Sequence, residues 1–221
     1  MIKENVKHLL NELPEGVTML AAAKERSADE ISESIKAGIK IIGENYLQDT
    51  LKVINEVKEK AEWHFIGHLQ TNKVKKVINI FDMIESVDSL KLAKEIERCC
   101  KRRNKIMPIL IEVNSGEENQ KTGVAPKDVA QLIREISSLN NIKIMGLMTM
   151  GPRFGDPEES RPFFRKTREI FEEIKDLHLP NVEMRYLSMG MTNSYKIAIE
   201  EGANLVRIGT KIFGQREGSY N

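Results

Sequence analysis

Short apolar runs alternate along this chain with longer segments in which Leu, Ile and Val recur every three or four positions among Glu and Lys. The runs predict strands and the longer segments predict amphipathic helices, the alternation expected of βα units around a parallel sheet. Eight runs stand out: "VTMLAAAK" (17–24), "IKIIGEN" (39–45), "EWHFIG" (62–67), "DMIESVD" (82–88), "MPILIEVN" (107–114), "IKIMGLMTM" (142–150), "EMRYLSMG" (183–190) and "NLVRIGT" (204–210). A helical pattern follows each of the first seven, and an amphipathic stretch over about residues 2–13 supplies an eighth. In "SADEISESIKAG", Ser27 reads as an N-cap, Glu30 completes a capping box and Gly38 marks the C-terminal stop. Eight strands and eight helices in 221 residues predict an α/β fold, a single-domain (β/α)8 barrel over residues 1–221. An open doubly wound sheet has about five or six strands. No linker or low-complexity tract divides the chain.

A barrel places its chemistry at the C-terminal ends of the strands. Polar residues stand there: Lys24 ends the first run, Asn45 the second, Asn114 the fifth, Ser188 and Gly190 the seventh, and Gly209 with Thr210 the eighth; His64 and Arg207 lie within the third and eighth. Side chains two apart share a strand face, which groups Leu20, Ala22 and Lys24, then Gly43 and Asn45, then Tyr186, Ser188 and Gly190, then Arg207 and Gly209. If these faces line the barrel, the small residues leave room for a flat ligand. Lys24 either reaches past the core into water or sits in a pocket where desolvation makes its amine a nucleophile. "LSMGMTNS" and "RIGTKIFG" each end a strand with glycine and a hydroxyl residue. Either string alone is a capped turn, but on neighbouring strands the two together favour a phosphate. Arg207 is too costly to bury unpaired. It either pairs with a carboxylate such as Glu112 or donates to a ring nitrogen of a ligand.

Charge and composition narrow the partners. Lys plus Arg number 34 against 33 Asp plus Glu, a net charge of +1, so no global field recruits nucleic acid or an anionic membrane. No run approaches the roughly 18 apolar residues of a membrane span, and no signal peptide pattern opens the chain; the expected location is cytoplasmic. Cys99 and Cys100 are adjacent in a charged helical stretch and read as reduced thiols. His64 and His68 have no Cys or carboxylate at ligand spacing, so no metal site is expected. The lysines of "NKVKKV" read as a solvated helix face and the methionines of "IKIMGLMTMGP" as packing residues.

Seven motifs in order, "AAAK", "IGENYLQD", "WHFIGHLQTNK", "VNSGEENQKTG", "GLMTM", "LSMGMT" and "VRIGTKIFG", resemble the pyridoxal phosphate homeostasis proteins over nearly the whole chain. The resemblance implies a barrel like the alanine racemase N-terminal domain, with pyridoxal 5'-phosphate on Lys24 as an internal aldimine. By the same carry-over Ser188, Gly190, Gly209 and Thr210 hold the phosphate, Arg207 faces the pyridine nitrogen, Asn45 lies near the ring and His64 lines the site. Members of the family more often have Val-Ser before the lysine, an Asp where Ser194 stands and a small residue at Lys211; Ser194 is still expected to cap the next helix.

An arginine beside the pyridine nitrogen weakens the ring as an electron sink, and the second acid/base group of the alanine racemases comes from a β domain for which this chain has no counterpart after its eighth run. The implied role is a carrier in cellular vitamin B6 and amino-acid balance, without substantial catalysis, with apo forms of pyridoxal phosphate enzymes as possible acceptors and a monomer or weak dimer as the assembly. The alternative is a small amino-acid racemase, with Tyr46, Tyr186, Tyr195 or Tyr220 as the second group and Arg153 or Arg161 as a carboxylate clamp.

Overall fold

The structure, a computed structural model, describes residues 1–116, 122–151 and 156–215. Eight parallel strands close into a barrel in sequence order: β1 (Thr18–Ala22), β2 (Ile41–Glu44), β3 (Glu62–Phe65), β4 (Met83–Val87), β5 (Met107–Val113), β6 (Ile142–Thr149), β7 (Val182–Ser188) and β8 (Leu205–Ile208). Seven of the expected runs contain their strand, and β7 begins one residue before its run, at Val182. The helices are α1 (Ile2–Glu12), α2 (Ala28–Lys36), α3 (Leu47–Val53), α4 (Val74–Val77), α5 (Leu90–Lys101), α6 (Val129–Ile136), α7 (Arg161–Asp176), α8 (Tyr195–Glu200) and α9 (Thr210–Phe213). The helix that begins the chain thus joins seven that follow strands, and the single turn of α9 closes the last unit.

Alternation divides the strands into two surfaces. Met19, Ala21 and Ala23 from the first run, with Ile42, Phe65 and Ile84, face outward and pack with Val6, Ile31, Ile96 and Phe164 of the helices. Full burial of such a side chain stabilises by about 1.5–3 kcal/mol. The inward surface carries smaller apolar groups: Leu20, Ile41 and Leu205, and Met83, Leu110, Met145 and Met148, with Tyr186 against both.

Strand ends fall short of the sequence reading in two places that matter. β1 stops at Ala22, because after the Ala23 N–H has bonded Gly43 O at 2.9 Å the chain turns, with Arg26 N–H on Ala23 O at 3.0 Å. Lys24 therefore sits in a turn beyond the ladder. β7 ends at Ser188, leaving Gly190 in the loop. Its register against β6 shifts between Ile144 and Gly146, and a single registered pair, Ser188 with Leu205, ties it to β8.

Candidate functional site

Lys24, Asn45, Gly190, Gly209 and Thr210 all stand at the C-terminal rim. Register brings two of the loops together: Leu20 pairs with Arg207 and Ala21 with Ile208 across β1 and β8, and a β-carbon added at Gly209 would lie 3.2 Å from Ala22 O. The turn that carries Lys24 is held by a residue whose role the sequence did not announce. Arg26 donates to Glu30 at 3.1 Å and to the carbonyls of Phe213 at 3.3 Å and Gly214 at 2.5 Å, clipping the β1–α2 loop onto the end of α9. Glu25, beside Lys24, has φ 61°, a left-handed conformation uncommon for a residue other than glycine.

The seventh and eighth loops meet through Thr192, whose Oγ1 lies 3.4 Å from the Gly209 N–H that points at it. Thr192 is the second hydroxyl residue of "LSMGMT"; the sequence reading named the first, Ser188. Gly190 has φ 85°, and a β-carbon there would fall 2.6 Å from Ala198 Cβ; its carbonyl accepts the Arg207 N–H at 3.0 Å. Glycine is required at that position by the backbone itself. Ser194 does not cap α8 with its side chain; its Oγ accepts the Met191 N–H at 3.3 Å instead, so it braces the loop. The Lys211 ammonium lies 4.7 Å from the Tyr195 ring centroid and 3.4 Å from its hydroxyl, and that hydroxyl donates to Glu12 at 2.8 Å.

Below the rim, the barrel interior holds a connected row of polar side chains. His64 Nδ1 lies 2.7 Å from Glu85 Oε1; the Ser188 hydroxyl donates to Glu85 Oε2 at 2.7 Å; Arg207 donates to Ser188 Oγ at 2.7 Å and to Thr149 O at 2.8 Å. His64 is 1% and Glu85 0% exposed. Burial alone would push the His64 imidazole down, but Glu62 and Glu85 outweigh it and raise it to about 9. Glu62, 3.7 Å from Nε2, is beyond hydrogen-bond reach and acts as a charge. Glu85 is pushed up by burial and brought below the usual carboxylate range by His64, Arg207 and Ser188. Arg207 thus bonds Ser188 and Thr149 O, and Glu112, the carboxylate offered as one of its two alternative partners, accepts from Thr122 at 2.7 Å; Glu112 still supports the arginine as a nearby charge. His64 and the Ser188 side chain lie in this row beneath the rim. Glu85 was read only as part of a strand; a charged residue at an inward position of an apolar run was the signal.

Asn45 lines a cavity of about 340 Å³, which it shares with Tyr46, Gln48, Phe65, His68 and Lys73 over the ends of β2 and β3. Tyr46 is exposed at the start of α3, and Met150 is exposed at the end of β6. Arg153 and Tyr220 lie outside the described residues. Arg161 is engaged by Glu158, Glu200 and Glu201.

A closed barrel of eight parallel strands, each joined to the next by a helical connection and with polar loops gathered at the C-terminal rim, defines the class of (β/α)8 barrels. The profile of the alanine racemase N-terminal domain matches residues 1–217. A pyridoxal phosphate homeostasis protein of Aquifex aeolicus is 43% identical over 200 residues, covering 90% of this chain and 87% of its own length, and that of Pasteurella multocida is 34% identical over 222 residues, covering 98% and 95%. The chain belongs to the alanine racemase N-terminal domain family and, within it, to the pyridoxal phosphate homeostasis proteins. The structure of PipY from Synechococcus elongatus with pyridoxal phosphate bound superposes with a TM-score of 0.89 at 30% identity, covering 97% of this chain and all of that one. Alanine racemase from Clostridium difficile shares the fold, with a TM-score of 0.81 at 15% identity; the match covers 99% of this chain and 57% of the racemase.

Proposed function

We propose that this protein binds pyridoxal 5'-phosphate at the C-terminal rim, holds it covalently through Lys24, and serves intracellular vitamin B6 and amino-acid balance as a carrier without substantial catalysis. The observation that carries this reading is the convergence of the Lys24 turn, Gly209 and Thr192 above a polar row that ends in Arg207. The donor set fits the group. The Gly209 N–H and the Thr192 and Thr210 hydroxyls supply neutral donors for a phosphate at the start of α9, and a side chain at Gly209 would crowd the Ala22 carbonyl beside the Lys24 turn. The cofactor supplies an aldehyde carbon that amines attack reversibly. The guanidinium of Arg207 has donors only, so a ring nitrogen that accepts from it stays unprotonated, which suits storage better than carbanion chemistry. Gly190 supports the loop, Ser188 bears on the site through Arg207, Asn45 flanks the ring, and His64 acts from beneath.

The same reading takes residues 1–221 as one domain, a monomer or weak dimer in the cytoplasm, with apo enzymes that require the cofactor as acceptors. Among the described residues no helix is long and apolar enough to cross a membrane. For racemisation, the Tyr195 hydroxyl is already committed to Glu12 and Arg161 to three glutamates, which favours the carrier.

Wild-type protein and Lys24→Ala are mixed with pyridoxal 5'-phosphate, scanned in the visible, reduced with borohydride and mapped by peptide. A visible band trapped on Lys24 and absent from the variant is expected; no band, or a label on another lysine, overturns the reading. Incubation with L-alanine and chiral analysis should show no D-alanine above the cofactor-only blank.

A further inference from the structure

The buried row below the rim contains groups that a cofactor held by Lys24 would not touch. His64 comes from β3, Glu85 from β4, Ser188 from β7 and Arg207 from β8, so the row crosses the barrel. The directions of its hydrogen bonds are forced. Arg207 has donors only, so Ser188 Oγ must accept from it, and the one hydroxyl proton of Ser188 then goes to Glu85 Oε2. Glu85 must be an acceptor at that oxygen, and as the carboxylate that His64, Arg207 and Ser188 keep ionised it accepts the Nδ1 proton of His64 at the other. Arg207 is fixed through two nitrogens, one on Ser188 and one on Thr149 O, and two bonds to a planar group set its plane.

We propose that Glu85 is a positioning residue: acting through Ser188 and held in turn by His64, it fixes the guanidinium of Arg207 where the cofactor's pyridine nitrogen would accept from it. The proposal rests on the reading that Arg207 faces the pyridine nitrogen. A carboxylate bonded directly to the arginine would occupy its donors and neutralise it at contact. The serine between them passes on orientation and leaves a cation at the site. His64 keeps Glu85 ionised in a place where an unpaired carboxylate would be protonated. Other charges face the row from β3, where Glu62 lies 3.7 Å from His64, from β5, where Glu112 is buried, and from β7, where Arg185 acts on Glu62.

Wild type, Ser188→Ala and Glu85→Gln are compared with and without pyridoxal 5'-phosphate. In the cofactor-free protein, nitrogen-resolved NMR should show separate, slowly exchanging Nη signals for Arg207 in wild type and averaged signals in Ser188→Ala. With cofactor, the Lys24 band is followed through pH in wild type and Ser188→Ala. In the variant its pH midpoint should rise by about one pH unit, a tenfold change in proton affinity, because the cation beside the ring is no longer held in place. Glu85→Gln keeps an acceptor for Ser188 but loses the charge, and should shift the midpoint less while lowering the titration of His64 below its wild-type value. Unchanged Arg207 signals together with a superimposable pH profile in Ser188→Ala overturn the proposal. A wild type that forms no band on Lys24 overturns the proposed function instead, and the Arg207 signals then decide the positioning role alone. If Glu85→Gln does not fold, Ser188→Ala carries both readouts.

Discussion

The two faces of β4 are built on opposite principles. Ile84 looks outward into an aliphatic layer shared with the helices; Glu85, the next residue, looks inward to His64 and Ser188. Both are fully buried. The outward face contributes stability by area, and many hydrophobic residues could serve there. The inward face carries charges that are tolerable because His64, Glu85 and Arg207 are linked, His64 directly to Glu85 and Arg207 through Ser188. Stability and chemistry are thus divided by the period of the strand.

Substituting the two neighbours separates these principles. Glu85→Ala leaves His64 and Arg207 without their shared carboxylate and should cost about 3–5 kcal/mol in chemical denaturation. Its cost also depends on pH. His64 is raised from 6.5 to about 9 in the folded state, so its contribution is complete below pH 6.5 and is lost as pH rises through about 9. The gap between wild type and Glu85→Ala should therefore narrow across that range. Ile84→Ala should cost about 2–5 kcal/mol with no such narrowing. Equal pH dependence in the two variants would dissolve the contrast between the faces.

One residue breaks the pattern. Glu44 follows Ile42 on the outward side of β2 and is 1% exposed, and its Oε2 has no hydrogen-bond partner among the described residues. Burial, and then Asp49, push its carboxyl up to about 8. A folded value above the unfolded one means that stability falls as pH rises from about 4.5 through 8. Glu44→Gln keeps the shape and removes the titration. It should match wild type near pH 5 and exceed it by on the order of 3 kcal/mol at pH 9. Coincident melting at both pH values would show that Glu44 is not desolvated in the folded protein.

The strands were legible because apolar residues on both faces make short apolar runs, and closure at eight follows from counting them. The row from His64 to Arg207 was not, since alternation shows which residues face inward but not which of them meet across the barrel. Of the two readings of Arg207, pairing with a carboxylate such as Glu112 is not what the barrel holds: its partners are a serine from β7 and a carbonyl from β6. The end of β1 was misplaced because Ala23 still bonds the neighbouring strand while the chain is already turning. Alanine has no side chain to mark that change.

The smallest expected effect tests whether the outer shell reaches the site. The start of α2 was readable from spacing: Ser27 Oγ accepts the Glu30 N–H at 3.2 Å, and the Glu30 carboxylate accepts the Ser27 N–H at 2.9 Å. Glu30 also receives Arg26, which holds the end of α9, so the cap is the outer anchor of the turn that carries Lys24. Ser27→Ala removes one of the two reciprocal bonds and should cost about 1 kcal/mol. Because Glu30 still holds Arg26, the Lys24 band should keep its intensity and position. If that band weakens in step with stability, the rim depends on the helix cap, and division by strand face fails where the strand ends and the loop begins.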